Sequence, residues 1–155
     1  MEILIVAVGR LKRGALAELV AEYAKRLPWT LRIKEIEPAA ARRADELIRR
    51  ESDALRAALP GKGRVVVLDS TGQSLDSERF AVQLRQWQDS GVPTVSFVIG
   101  GAEGLDRALV READLVLAFG AMTWPHLMVR AMLAEQLFRA ASQMAGHPYH
   151  RGQRG

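Results

Sequence analysis

Apolar runs and amphipathic stretches alternate along the chain. Residues 3–9, "ILIVAVG", are apolar throughout, the pattern of a strand buried on both faces. Residues 13–27 set Leu16, Leu19, Val20, Tyr23 and Leu27 three and four apart, which predicts one face of a helix. "WTLRIKEIE" roughly alternates apolar and polar, as a half-exposed edge strand does. Residues 40–59 return to helical spacing through Ala44, Leu47, Ile48, Leu55 and Leu59. "RVVVLD" (64–69) predicts a third strand, and a helix from about Ser77 would bury Phe80, Leu84 and Trp87. "TVSFVIG" (94–100) predicts a fourth strand, residues 106–112 a short helix, and "DLVLAF" (114–119) a fifth strand. A long helix follows from Pro125 to about Ala145. Proline suits its first turn, where the missing N–H costs nothing, and Gly146 and Pro148 stop it.

Strands apolar on both faces and separated by helices imply an α/β fold. The sheet is expected to be mainly parallel, with helices on both faces. The 155 residues suit one domain, 1–155, and no internal repeat or linker interrupts them. The last helix stands out: from Leu127 to Met144 only Arg130, Glu135 and Arg139 are charged. Such a helix is buried on more than one side, either at a subunit interface or as a central core helix.

Composition narrows the chemistry. The absence of cysteine excludes disulfides, thiolate zinc sites, iron–sulfur clusters and cysteine nucleophiles. At its N-terminus an acid precedes the apolar run and the bases follow it, the reverse of a secretory signal. No apolar run approaches a membrane span. A cytoplasmic protein without a membrane partner is expected. Net charge is +4, and 18 of the 22 basic residues are arginine, whose planar fork suits phosphate and base recognition. All three histidines fall in the last thirty residues. His147 and His150 lack nearby acids, so no metal site is expected. His126, in the first turn of the last helix, reads as structural or as a neutral hydrogen-bonding group.

In open parallel sheets ligands bind beyond the carboxyl ends of the strands. Three loops qualify: "LDSTG" (68–72), "IGGAEGL" (99–105) and "AFGAMTWPH" (118–126). The second lacks both the G-x-G-x-x-G dinucleotide fingerprint and the P-loop pattern, and Glu103 would repel a phosphate. It is either a plain turn or a cradle where backbone closely approaches an uncharged or positive ligand. The third loop, with Gly120, Ala121 and Met122, suits a flat heteroaromatic ring recognised by backbone groups. The tail "GHPYHRGQRG" sets Tyr149 and His150 beside Arg151 and Arg154, as single-stranded RNA would want, or is a frayed terminus. A nucleotide-binding α/β enzyme and a non-catalytic RNA-binding or ribosome-associated module remain open on these features alone.

The ordered set "VAVGR", "EYAKRL", "VVVLD", "FVIGGAEGL", "MTWPHLMVR", "EQLFRA" and "HPYHR" runs nearly end to end. It resembles the ribosomal RNA large subunit methyltransferase H family, within the SPOUT methyltransferases. The resemblance implies an α/β fold whose C-terminal part is threaded as a trefoil knot, a homodimer, and S-adenosylmethionine as methyl donor. The implied product is N3-methylpseudouridine in 23S rRNA of the assembled ribosome. Leu68, Gly100, Phe119, Gly120, Ala121, Met122, Thr123 and Trp124 would bind the cofactor. His150, then Tyr149, would take the substrate proton, while Arg139 and Arg151 would hold phosphate or stabilise a uracil anion. The chain departs from the family pattern at Ala102, where proline is common, at Gly120, where serine is usual, and at Trp124, where leucine is usual.

Overall fold

The computed structural model describes residues 1–147. Strands and helices alternate through them: β1 (Glu2–Val8), α1 (Ala15–Arg26), β2 (Thr30–Ile36), α2 (Ala44–Ala57), β3 (Arg64–Gln73), α3 (Ser77–Asp89), β4 (Thr94–Ile99), α4 (Arg107–Glu112), β5 (Leu115–Leu117) and α5 (His126–Met144). The strands form a sheet in the order β2-β1-β4-β3-β5, and every neighbouring pair is parallel.

Successive side chains of a strand point to opposite faces, and β1 shows what each face packs against. Ile3, Ile5 and Ala7 join Phe97 of β4, Phe80 and Leu84 of α3, and Leu133 and Leu137 of α5. Leu4, Val6 and Val8 join Val67, Val98, Leu55 of α2 and Leu109 of α4. Helices thus cover both faces, and the unbroken apolar run of β1 is explained. Ile3 through Ala7 are completely buried, each larger side chain contributing about 1.5–3 kcal/mol of hydrophobic stabilisation. β2 pairs only with β1 and leaves most of its side chains exposed, so its alternating pattern does mark an edge.

α5 lies between α1 and α3 over one sheet face. Tyr23 of α1 meets Phe138 with ring centroids 5.8 Å apart, and Ser77 of α3 donates to Gln136 at 2.7 Å. Leu133, Leu137 and Ala140 complete the core beneath. The central-core reading of this helix therefore accounts for much of its apolar surface. No helix among the described residues is long and apolar enough to cross a membrane.

β3 differs from expectation. It does not end at Asp69 but continues to Gln73. Leu68 and Gln73 both stand opposite Leu117, so the residues between them bulge out of the ladder. The ladder re-forms because Gln73 offers its carbonyl to the Ala118 N–H at 3.0 Å. Small polar residues read as a turn, yet here they re-aim Asp69 and Ser70 over the strand ends.

Candidate functional site

Parallel strands bring their following loops to one end of the sheet. A cleft of about 290 Å³ opens there. β3 supplies Leu68, Asp69 and Ser70, the loop after β4 supplies residues 100–105, and the loop after β5 supplies Phe119, Gly120, Met122, Thr123 and Trp124. His126 and Val129 close it from the first turns of α5.

The glycine loop turns sharply, with Gly104 N–H donating to the Gly101 carbonyl at 3.1 Å. There is no room behind it. A Cβ on Gly100 would stand 2.9 Å from the Leu105 side chain, and one on Gly101 would stand 2.9 Å from Glu51 Oε1 and 3.1 Å from Val8 Cγ1. Glycine is required here so that the loop's backbone can lie this close to Leu105, Glu51 and Val8. α2 anchors the loop from below. Ser52 Oγ accepts from the Asp106 N–H at 3.0 Å, and Asp106 in turn caps α4 by accepting from Leu109 N–H at 2.6 Å. Glu51, nearly fully buried, accepts from the Ala39 N–H at 3.0 Å through Oε2, while its Oε1 has no hydrogen-bond partner among the described residues.

The loop after β5 is tied to itself. Trp124 Nε1 donates to the Phe119 carbonyl at 3.0 Å, a bond that the leucine usual at this position could not make. Met122 is 76% exposed and Trp124 41%, so two large apolar side chains stand open at the cleft's rim. Across the mouth, Arg107 grips Asp69 through two bonds, Nη2 to Oδ1 at 3.0 Å and Nη1 to Oδ2 at 3.2 Å. Thr71 donates to the same carboxylate from its backbone N–H and its hydroxyl. Burial alone would raise the Asp69 carboxyl, but the Arg107 and Thr71 bonds outweigh it and hold it below the ordinary carboxylate value. Carboxylate and peptide groups thus dominate the rim on the β3 side.

Of the residues expected to bind a cofactor, Leu68, Gly100, Phe119, Gly120, Met122, Thr123 and Trp124 line the cleft; Ala121 lies between them, exposed, and does not. Arg139 does not line it either. It sits thirteen residues beyond His126 on α5, about 20 Å along the axis, paired with Glu135 at 2.6 Å. Tyr149, His150 and Arg151 lie outside the described residues. Sequence reasoning missed the Asp69–Arg107 clamp, whose partners are 38 positions apart with no spacing to connect them. It also missed Val129, which reads as one more core residue of α5. Among the described residues no group of three His, Cys, Asp or Glu could hold a metal ion.

A second hollow, of about 840 Å³, shares residues 117–120 with the cleft. It is an apolar groove between α1 and α5, walled by Leu16, Leu19 and Tyr23 on one side and by Met128, Ala131 and Met132 on the other. Leu19 and Met128 are 43% and 37% exposed.

The cleft's residues fit a compact cation joined to a flat ring: a glycine-rich backbone, the Glu103 carboxylate at the rim, and apolar walls. Comparison with known proteins agrees in kind. The family model described as "Predicted SPOUT methyltransferase" matches residues 1–150. A ribosomal RNA large subunit methyltransferase H from Rhodospirillum centenum is 50% identical, over 97% of this chain and 99% of its own. Its counterpart from Paramagnetospirillum magneticum is 48% identical over the same shares. Among solved structures, one from Bacillus anthracis superposes with a TM-score of 0.56 at 16% identity, covering 90% of this chain and 94% of that one. One from Haemophilus influenzae gives 0.58 at 11% identity, covering 95% and 69%. At such identities these likenesses speak for the fold alone. The full-length relatives and the matched model decide the rest: the chain belongs to the SPOUT methyltransferase family.

Proposed function

We propose that this chain transfers a methyl group from S-adenosylmethionine to N3 of a pseudouridine in 23S rRNA of the assembled ribosome, in the cytoplasm and as a homodimer. The single observation that carries the donor site is the cleft at the strand ends, lined by the glycine loop after β4 and by the loop after β5. Relatives that share half the sequence are named for methylating large-subunit ribosomal RNA, which supports the substrate class.

When bound, S-adenosylmethionine supplies a methyl carbon on a positively charged sulfur. Leu68, Gly100, Phe119, Gly120, Met122, Thr123 and Trp124 would hold it, and the Glu103 carboxylate at the rim suits its positive charge. As N3 of the substrate takes up the methyl group that the sulfur would release, the N3 proton would leave to a base. His150 takes that proton, with Tyr149 as the second candidate. A positioned base contributes about 10²–10⁴-fold. Arg139 and Arg151 hold phosphate or stabilise the uracil anion.

The geometry of α5 supports the dimer. His126 lines the cleft, and His147, whose N–H bonds the Ser142 carbonyl at 2.8 Å, closes the far end of the helix. Eighteen rises separate His126 from Met144, about 27 Å. Arg139, about 20 Å along α5 from His126, does not line its own chain's cleft. A second copy, seated in the apolar groove beside the cleft, delivers His150 and Arg139 instead. A further part of the proposal is that the single domain 1–155 threads its C-terminal part as a trefoil knot.

The test is labelled methyl transfer from S-adenosylmethionine to ribosomes of a strain lacking the modification, followed by mapping of the modified base. Label on N3 of a pseudouridine in 23S rRNA is the expected result. Label elsewhere, or none, overturns the assignment.

A further inference from the structure

The loop after β1, residues 9–14 ("GRLKRG"), emerges at the same end of the sheet as the cleft. It also touches the cleft's wall: a Cβ on Gly9 would lie 3.3 Å from Nε2 of His126. Its backbone is held from three sides. The Gly9 N–H donates to the Ile36 carbonyl at 2.8 Å. The Gly9 carbonyl accepts from Nη2 of Arg130 at 3.0 Å, and the Leu11 N–H donates to Glu35 Oε2 at 2.6 Å. Arg130 Nη1 binds that same oxygen at 2.6 Å, so one clasp joins α5, the edge strand and this loop.

The clasp is costly. Arg130 is 1% exposed, and its Nε has no hydrogen-bond partner among the described residues. Arg130 is buried while its partner Glu35 is 35% exposed, so desolvation of the guanidinium offsets much of the pair's attraction and its clearest effect is the geometry it fixes. That geometry is a fixed backbone bearing Arg10, Lys12 and Arg13, all outside the protein interior and exposed to water. None of the three is in an ion pair among the described residues, a state they share with Arg42, Arg49, Lys62 and Arg111; what sets them apart is their place on a fixed loop beside the cleft. Glu35, the acid bonded to the loop, is already engaged by Arg130 and Leu11.

We propose that residues 9–14 form a phosphate ledge: the backbone of the RNA strand entering the cleft lies across Arg10, Lys12 and Arg13, and Arg130 and Glu35 are positioning residues that hold the ledge in register with the cleft. The ledge rests on the RNA reading above. Three cations on a fixed loop, beside the site where the base must enter, suit consecutive phosphates of one strand. Each contact should contribute a salt slope of about −0.7 to −0.9 to the affinity.

The experiment compares wild type with the triple variant Arg10→Ala/Lys12→Ala/Arg13→Ala. Binding to ribosomes lacking the modification is measured across a potassium chloride series, and S-adenosylmethionine binding is measured by calorimetry. Ribosome affinity should fall at least about tenfold, and the salt slope should shrink by about 2 to 3. Donor affinity and thermal midpoint should not move. An unchanged slope, or equal loss of donor binding, overturns the ledge. Glu35→Gln keeps all three cations and loosens the clasp. It should raise KM for ribosomes about threefold to tenfold with kcat unchanged, and an unchanged KM removes the positioning role. Should wild type bind ribosomes yet transfer no methyl, the functional proposal fails while the slope comparison still decides the ledge.

Discussion

Two hollows share residues 117–120 and are built from different parts. The cleft is made of loops, with peptide groups, glycines and carboxylates at its walls. The groove is walled mainly by helix faces, with Leu16, Leu19, Met128 and Met132, and its polar groups, among them Asp76, Glu135 and Gln136, are outweighed by apolar surface. A loop-built hollow of a few hundred Å³ can present fixed backbone atoms to one small molecule. A helix-built apolar trough nearly three times larger offers area without directed bonds, which suits the surface of another subunit. Under the proposed function, the donor binds in one and a second chain covers the other.

The largest expected effect separates the two directly. His150→Ala should lower turnover by about 10²–10⁴-fold, because its proton acceptor is gone, while calorimetry finds donor binding unchanged. If donor binding collapses with turnover, the tail belongs to the cleft and the division fails. Gly101→Val comes next. Its branched side chain must meet Glu51 Oε1 and Val8 Cγ1. Overpacking of about 1–3 kcal/mol should weaken donor binding about 5- to 150-fold, with sedimentation still reporting dimers. Leu19→Asp attacks the groove alone. A carboxylate on the apolar wall should weaken self-association about tenfold and leave donor binding within about twofold. Dimers of wild-type strength in that variant would refute the groove as interface.

The smallest effect concerns acid. Asp69 and Glu35 are both held below their ordinary values, Asp69 chiefly by Arg107 against the opposing pull of burial, Glu35 first by the Leu11 N–H. A depressed carboxyl stabilises the fold fully above its unfolded value, near about 4, and that contribution disappears as pH falls through the folded value. Thermal midpoints should therefore drop below about pH 4, and Asp69→Asn should flatten part of that drop. An unaltered acid profile in the variant would show that the Arg107 clamp does not couple to folding.

Much of this architecture could be read from residues alone, and the exceptions share a cause. β1 and β4 follow from apolar runs and the edge position of β2 from alternation, local properties of a few neighbouring residues. The glycine loop is conspicuous by composition. The β3 bulge is not, because "DSTG" has the residues of a turn and only the far β5 shows that the ladder resumes. The Asp69–Arg107 and Glu35–Arg130 pairs link positions far apart in the chain, and nothing in local spacing reports on contacts that only the fold creates. The apolar character of α5 was legible, but its two causes were not separable: one side packs between α1, α3 and the sheet, and another opens onto the groove.

Complementation between two disabled chains tests the central claim most directly. Gly101→Val removes a cleft, and His150→Ala removes a tail. If one copy's tail serves the other copy's cleft, a mixed dimer of the two variants contains one intact site, assembled from the sound cleft of the His150→Ala chain and the sound tail of the Gly101→Val chain. At a donor concentration that saturates wild type but not the Gly101→Val cleft, each variant alone should be impaired, and the purified mixed dimer should regain methyl transfer to about half the wild-type rate per dimer. A mixed dimer as impaired as its parents would show that each chain completes its own site, and would contradict the sharing of sites between subunits.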